Sequence, residues 1–206
     1  MEEMVITIAR GFGSGGKTIG KMLSEKLKVP YYDYELIKLA SEKSGINVDL
    51  FGSADERPPK NGLFKKGKKY ESGAIIQPGE DGFVSQQNLF NYQAEVIREA
   101  AEKGSCVFVG RCADYVLKDR KNVIRVFIHA NMDFCVKNVL ERFDVNEQEA
   151  IEKIRKIDKV RSSYYKTYTG HEWDNARNYD LCLNSSDLGF EKCVELIIKS
   201  MEIFAK

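Results

Sequence analysis

Gly11-Phe12-Gly13-Ser14-Gly15-Gly16-Lys17-Thr18, entered from the apolar run Met4-Val5-Ile6-Thr7-Ile8-Ala9, is the stretch whose reading decides the fold. It fits G-x-x-x-x-G-K-[ST] without a gap, between a buried-type strand and a helical pattern. Phosphate chemistry demands these residue types. Glycines let the backbone curl inward with its N–H groups aimed at phosphate oxygens, in conformations that a Cβ disfavours. The helix that starts near Gly16 adds unpaired N–H groups and the positive end of its dipole. Lys17 then reaches the outer phosphates, and Thr18 offers its hydroxyl to Mg²⁺. Gly11, Gly13, Ser14, Gly15, Gly16, Lys17 and Thr18 form the candidate phosphate-binding set.

Outward from this loop, the chain alternates strands and helices. Residues 4–9 read as a first strand, and Ile19, Met22, Leu23 and Leu27 recur at helical spacing until Val29-Pro30. Pro30-Tyr31-Tyr32-Asp33 is a short second strand ending in a carboxylate, and residues 34–44 resume a helix closed by Gly45. A helix is predicted over 86–103, a third strand over 106–109, a fourth over 123–128 and a helix over about 132–143. Asn146 and Glu149 make a capping box for a long helix over roughly 147–168. A fifth strand over 179–183 and an amphipathic helix over 187–204 complete the pattern. Apolar rather than alternating strands imply a parallel sheet covered on both faces, an α/β architecture whose ligands gather at the carboxyl ends of the strands.

Between about 51 and 81 the periodicity fails. This segment holds three of the four prolines and the basic cluster Lys65-Lys66-Gly67-Lys68-Lys69. It is either a solvated flexible insert or a mobile substrate-binding flap.

Composition excludes several classes. With 32 basic against 31 acidic residues, a formal net charge of +1, broad nucleic-acid binding is not favoured. Five cysteines at 106, 112, 135, 182 and 193 form no C-x-x-C pair, and only His129 and His171 accompany them, so a structural zinc site is not expected. They read as reduced intracellular thiols filling the core. No apolar run approaches membrane-spanning length and no basic-then-apolar leader opens the chain, so a cytoplasmic protein of 206 residues with one large domain is expected. The oligomeric state is left open.

Three further positions carry chemistry. Arg111, just past the third strand at Gly110, either forks onto a phosphate or makes a structural ion pair with a neighbouring acid. Arg155-x-x-Asp158-x-x-Arg161 places charges along one helix: either a solvated face, or arginines that neutralise the spreading charge of phosphoryl transfer. Asp33 can accept a substrate hydroxyl, help hold Mg²⁺ through water, or cap the next helix. The aromatic group at 164, 165 and 168 reads as packing.

Taken in order, Ala9-Arg10-Gly11-Phe12-Gly13-Ser14-Gly15-Gly16-Lys17, Tyr31-Tyr32-Asp33, Val109-Gly110-Arg111-Cys112-Ala113-Asp114, Ile154-Arg155-Lys156-Ile157-Asp158-Lys159 and Tyr179-Asp180-Leu181-Cys182-Leu183-Asn184-Ser185-Ser186 resemble the cytidylate kinase-like family of P-loop proteins. The resemblance runs over nearly the whole chain. It implies a three-layer P-loop NTPase fold: a five-stranded parallel sheet with helices on both faces, a mobile acceptor-binding flap over 51–81 and a helical lid over 146–178. It further implies Mg²⁺-dependent transfer of the ATP γ-phosphoryl group to a nucleoside monophosphate, with CMP or dCMP favoured. On that likeness Gly13 to Thr18 hold ATP, Arg111 meets the acceptor phosphate, Arg155 and Arg161 act from the lid, and Asp158 lies near the acceptor sugar. Lys17, Arg111, Arg155 and Arg161 are thus the expected catalytic residues, Asp33, Arg111 and Asp158 the expected acceptor contacts. Authentic cytidylate kinases read Gly-Arg-Asp where this chain has Gly110-Arg111-Cys112 and an acid only at Asp114. Two other functions compete: a kinase for another small metabolite, and a nucleotide-binding regulator without catalysis.

Overall fold

The computed structural model describes residues 3–58 and 74–204. Five strands form one sheet: β1 (Val5–Arg10), β2 (Tyr31–Tyr32), β3 (Cys106–Val109), β4 (Val123–His129) and β5 (Leu181–Asn184). Their order is β2-β3-β1-β4-β5, and every pairing is parallel. The strand that feeds the glycine loop is therefore central, with Val5 opposite Cys106 on one side and Val123 on the other. All six of its residues are buried.

Helices cover both faces. α1 (Gly16–Leu27) and α8 (Ser185–Phe204, broken at Gly189) lie on one side, and α2 (Glu35–Ser44), α3 (Val48–Ala54) and α4 (Gln86–Glu102) lie on the other. The two-residue period of a strand sorts its side chains accordingly. Val5, Cys106, Phe108 and Val123 pack with Leu36, Ile37 and Ile97. Ile6, Ile8, Val107, Ile124, Val126 and Ile128 point the other way, onto Ile19, Leu23, Val194 and Ile197. Ile6, Ile8, Ile124 and Ile128 are sealed from solvent, each contributing about 1.5–3 kcal/mol relative to exposure. The alternating βα pattern and the P-loop NTPase architecture expected from the sequence are those observed.

α5 (Ala113–Val116) follows β3, and α6 (Met132–Leu140) packs under α7 (Glu147–Thr169). The capping box at the start of α7 is formed: Asn146 Oδ1 accepts from the Glu149 N–H at 3.0 Å and Glu149 Oε2 from the Asn146 N–H at 2.8 Å. The aromatic group on α7 is packing, with the Phe90 and Tyr168 rings stacked at 4.1 Å.

The expected irregular segment begins later than its sequence suggests. α3 runs on to Ala54, capped by Asn47 and anchored by the fully buried Phe51. Seven residues are too few for a helical period to show. Further along, Asn88 holds residues 76 and 83 by side-chain bonds to Ile76 and Phe83 backbone groups at 2.8–3.0 Å. The cluster at 65–69 lies outside the described residues. All five cysteines are free, four of them buried. Among the described residues no helix is long and apolar enough to cross a membrane.

Candidate active site

The glycine loop is built to present N–H groups. Its carbonyls are turned outward and tied down: Gly11 O accepts from Ser14 Oγ at 2.8 Å, Gly13 O from Asn138 Nδ2 at 2.8 Å, and Ser14 O from Ser185 Oγ at 2.6 Å. The N–H groups of Gly13, Gly15, Gly16, Lys17 and Thr18 meet no acceptor among the described residues. Five unpaired donors at the start of α1 make an anion cradle. Gly13 and Gly15 sit at φ 84° and 79°, where a side chain is disfavoured.

From the cradle a chain of charges runs along the carboxyl ends of the strands. Lys17 Nζ contacts Asp33 Oδ2 at 2.6 Å, and Asp33 Oδ1 contacts Arg111 Nη1 at 3.0 Å. Arg111 Nη2 continues to Asp55 Oδ2 at 2.8 Å, and the Arg111 backbone N–H donates to Glu56 Oε1 at 3.2 Å. Glu56 is also gripped by the fork of Arg10, whose Nη2 donates at 3.0 Å, and by Arg161 Nε at 3.2 Å. Arg161 Nη1 donates to the carbonyl of Arg10 and lies 3.7 Å from Asp158, whose Oδ1 accepts from the Phe12 N–H at 2.8 Å.

The electrostatics follow from burial set against these partners. Burial pushes the Glu56 carboxyl up, but the charges of Arg10 and Arg161 overcome it and hold the group well below the usual carboxylate range. Asp33 is also held below its ordinary value; the Lys17 hydrogen bond and the Arg111 charge outweigh its burial. At Asp55 and Asp158 burial wins and both carboxyls rise. Burial lowers Arg161 further than its acidic neighbours restore it, with Arg10 repelling it.

Of the residues singled out from the sequence, Gly11 to Thr18, Asp33, Arg111, Asp158 and Arg161 converge here. Arg111 stands in ion pairs with two acids, and Asp33 turns its side chain to Lys17 and Arg111 rather than capping α2. Arg155 does not join them. It is exposed and has no partner among the described residues. At about 100° per residue, positions six apart on a helix point about 120° from one another, so 155 and 161 cannot share a face.

Four participants escaped the sequence reading. Arg10 closes β1, whose other polar residue is Thr7, and an arginine directly before a glycine loop was the available signal. Asp55 and Glu56 fell in the aperiodic stretch, which gave none. Arg142, just past α6, donates from Nη2 to Thr18 Oγ1 at 3.2 Å. Where the cytidylate kinase pattern has an acid, Cys112 is buried, and Asp114 instead accepts from the Tyr165 hydroxyl at 2.6 Å. A cleft of about 950 Å³ opens elsewhere, between α5 and residues 171–178. Its Arg125 is paired with Asp180 and its Lys118 with Asp119, and it contains no residue of the glycine loop. The loop, not that cleft, marks the site.

The sequence model of the cytidylate kinase-like family matches residues 5–187. The chain belongs to that family. It is a nucleoside-monophosphate kinase-like phosphotransferase by membership and fold. A cytidylate kinase of Archaeoglobus fulgidus is 26% identical over 97% of this chain and 96% of its own. Among solved structures, an uncharacterized protein from Eubacterium ventriosum superposes with a TM-score of 0.71 at 29% identity, covering 97% of this chain and 99% of that one. A shikimate kinase from Bacteroides thetaiotaomicron, at 16% identity and a TM-score of 0.55 over 97% and 99% of the two chains, shares the fold.

Proposed function

We propose that this protein is a cytoplasmic kinase that transfers the γ-phosphoryl group of ATP to a nucleoside monophosphate, with CMP or dCMP favoured and Mg²⁺ required. One observation carries the reading: Asp33 is held by Lys17 of the phosphate cradle on one side and by Arg111 on the other. A nucleotide in the cradle and an acceptor at Arg111 would therefore lie at adjacent positions along the same strand ends. Gly11 to Thr18 bind ATP, and Lys17 moves from Asp33 onto the outer phosphates. Arg111 takes the acceptor phosphate, and Asp158 lies beside the acceptor sugar. Arg161, on the 146–178 lid of this single domain, neutralises charge in the transition state, and Arg155, exposed on another face of α7, does so once that helix swings over the bound phosphates. Asp55 and Glu56, near the start of the 51–81 segment, flank the acceptor side; residues 59–73 of that segment lie outside the described residues.

Thr18 fits the metal, since a hydroxyl oxygen at the first turn of α1 is a hard donor of the kind Mg²⁺ accepts beside nucleotide phosphates. Arg142 faces that same oxygen and has to withdraw. When bound, the ion would neutralise phosphate charge; positioning belongs to the residues named above.

A second reading, a kinase for a phosphate-free metabolite, draws on the carboxylates Asp55 and Glu56, which occupy the arginines on the acceptor side. The test is purified protein with Mg·ATP and a panel of nucleoside monophosphates, shikimate-like and sugar alcohols, followed by ADP release. Turnover fastest with CMP or dCMP is expected. Turnover only with hydroxyl acceptors favours the second reading, and no turnover with any acceptor leaves a binding protein.

A further inference from the structure

Glu56 sits where an anion belongs. Both of its oxygens are taken by the Arg10 fork, Arg161 Nε adds a third donor at 3.2 Å, and the Arg111 backbone N–H a fourth at 3.2 Å. Forked guanidinium groups around a backbone N–H are the standard recognition pattern for a phosphate as much as for a carboxylate. The seat is shaped for close approach: Gly110 has φ 77°, and a Cβ there would collide with Glu56 Oε1.

Two further observations point to a second occupant. Arg10 Nε and Arg111 Nε are buried and have no acceptor among the described residues. Orphaned buried donors are uncommon and call for an explanation. Glu56 itself is held at φ 49°, a left-handed conformation that non-glycine residues seldom adopt unless the surroundings force it. The void beside Glu56, Arg10 and Arg161 measures only about 10 Å³, close to the least that admits one water. No phosphate enters while Glu56 is in place.

We infer that Arg10, Arg161 and the Arg111 N–H form a phosphate-ester site that Glu56 plugs in the free protein, and that acceptor binding exchanges the substrate's phosphate for the Glu56 carboxylate. The inference rests on the reading of the acceptor as a phosphate ester. It adds Arg10 to the acceptor site and makes Glu56 the residue that sets acceptor affinity. Electrostatics requires the exchange rather than simple addition. The cluster of Lys17, Arg10, Arg111 and Arg161 is matched by Asp33, Asp55, Glu56 and Asp158. A dianionic phosphate added without release of a carboxylate would leave two uncompensated negative charges in a buried setting, whereas exchange for Glu56 leaves one.

The test is Glu56→Gln in the full-length chain, titrated calorimetrically with inorganic phosphate and, separately, CMP. Binding of both at least tenfold tighter than in the wild type is expected, with KM for the acceptor falling in parallel. Weaker or unchanged binding of both overturns the plug. Should the variant fold poorly for want of a partner for its arginines, the wild type supplies a second measurement. Amide hydrogen exchange at 54–57 should accelerate when CMP binds, because Glu56 is released; unchanged or slower exchange at saturating CMP overturns the inference. Failure of this idea and failure of the kinase reading are separable. Tight phosphate binding by Glu56→Gln with no nucleotide turnover keeps the site and removes the kinase. Wild-type turnover of CMP without any gain in Glu56→Gln does the reverse.

Discussion

Gly13→Ala is the sharpest probe of the phosphate cradle, because its cost separates into two parts with independent controls. Gly13 has φ 84°, and an alanine there pays the left-handed penalty of about 1–2 kcal/mol. Its Cβ would also lie 2.7 Å from the carbonyl oxygen and 2.9 Å from the Cα of Cys135. Those are backbone atoms of α6 and cannot rotate aside, so an overpacking term of about 1–3 kcal/mol follows. Gly45 has the same conformation, φ 72°, but nothing within 4 Å of an added Cβ. Gly45→Ala therefore carries only the conformational term. In urea denaturation Gly13→Ala should lose about 1–3 kcal/mol more than Gly45→Ala. If the loop relieves the clash by moving, its N–H groups lose their aim, and ATP affinity measured by calorimetry should fall at least tenfold. Equal stability of the two variants together with unchanged ATP binding would refute the claim that α6 fixes the loop.

Lys17→Ala should weaken ATP binding by roughly 1.5–3 kcal/mol, whereas Asp33→Asn, which frees Lys17 from its 2.6 Å ion pair, should tighten it a few-fold; calorimetry of both variants reads the opposite signs. Arg155→Ala should lower kcat by about 10²-fold or more with little change in ATP affinity or melting temperature, since the side chain is exposed. Arg161→Ala should lower kcat similarly and also destabilise, because it strips one partner from buried Glu56; steady-state kinetics beside thermal denaturation distinguishes the two arginines. Burial pushes the Asp114 carboxyl up to about 6 against the Tyr165 hydroxyl that stabilises its charge, so its contribution to stability is complete below the ordinary carboxylate range and is lost as pH rises through about 6. Asp114→Asn should remove that fall, and identical urea midpoints relative to wild type at pH 4.5 and 7.5 would count against it.

What the sequence disclosed was local or periodic. The glycine loop was legible because its chemistry is written in eight consecutive residues, and β1, β3 and α7 because apolar runs and a capping box mark them without tertiary help. α3 was not legible: its seven residues offer Phe51 and Ala54 to the core but no repeat. The same loss hid Asp55 and Glu56, whose roles exist only through residues 46 to 105 positions away. Arg10 fell between the strand expected over 4–9 and the glycine loop, with no role of its own; only the neighbouring β3 turn, with Gly110, Arg111 and Cys112 all at positive φ, turns it into a site residue. Spacing of three suggested one charged face on α7, but the drift of an α-helix separates Arg155 from Arg161, and burial then assigns them to different environments.

Each cation on the acceptor side is held by a carboxylate, and that pairing explains how the protein can bury arginines before substrates arrive. A buried guanidinium without a counterion carries a desolvation cost of several kcal/mol, and removing one partner from a buried pair is strongly destabilising. Arg10, Arg111 and Arg161 therefore need acids in the free protein. The same acids compete with any phosphate, so part of the substrate's attraction is used in releasing them. Competition of this kind lowers ground-state affinity without removing the arginines from the transition state, which is where a phosphoryl-transfer enzyme gains from them. A protein that only binds nucleotide gains nothing from it, since every carboxylate in the chain from Lys17 to Arg161 then weakens the one interaction it performs. On the proposed reading Asp33 adds coupling: ATP draws Lys17 away and leaves that carboxylate wholly to Arg111, so the occupancy of one substrate site alters the charge presented at the other.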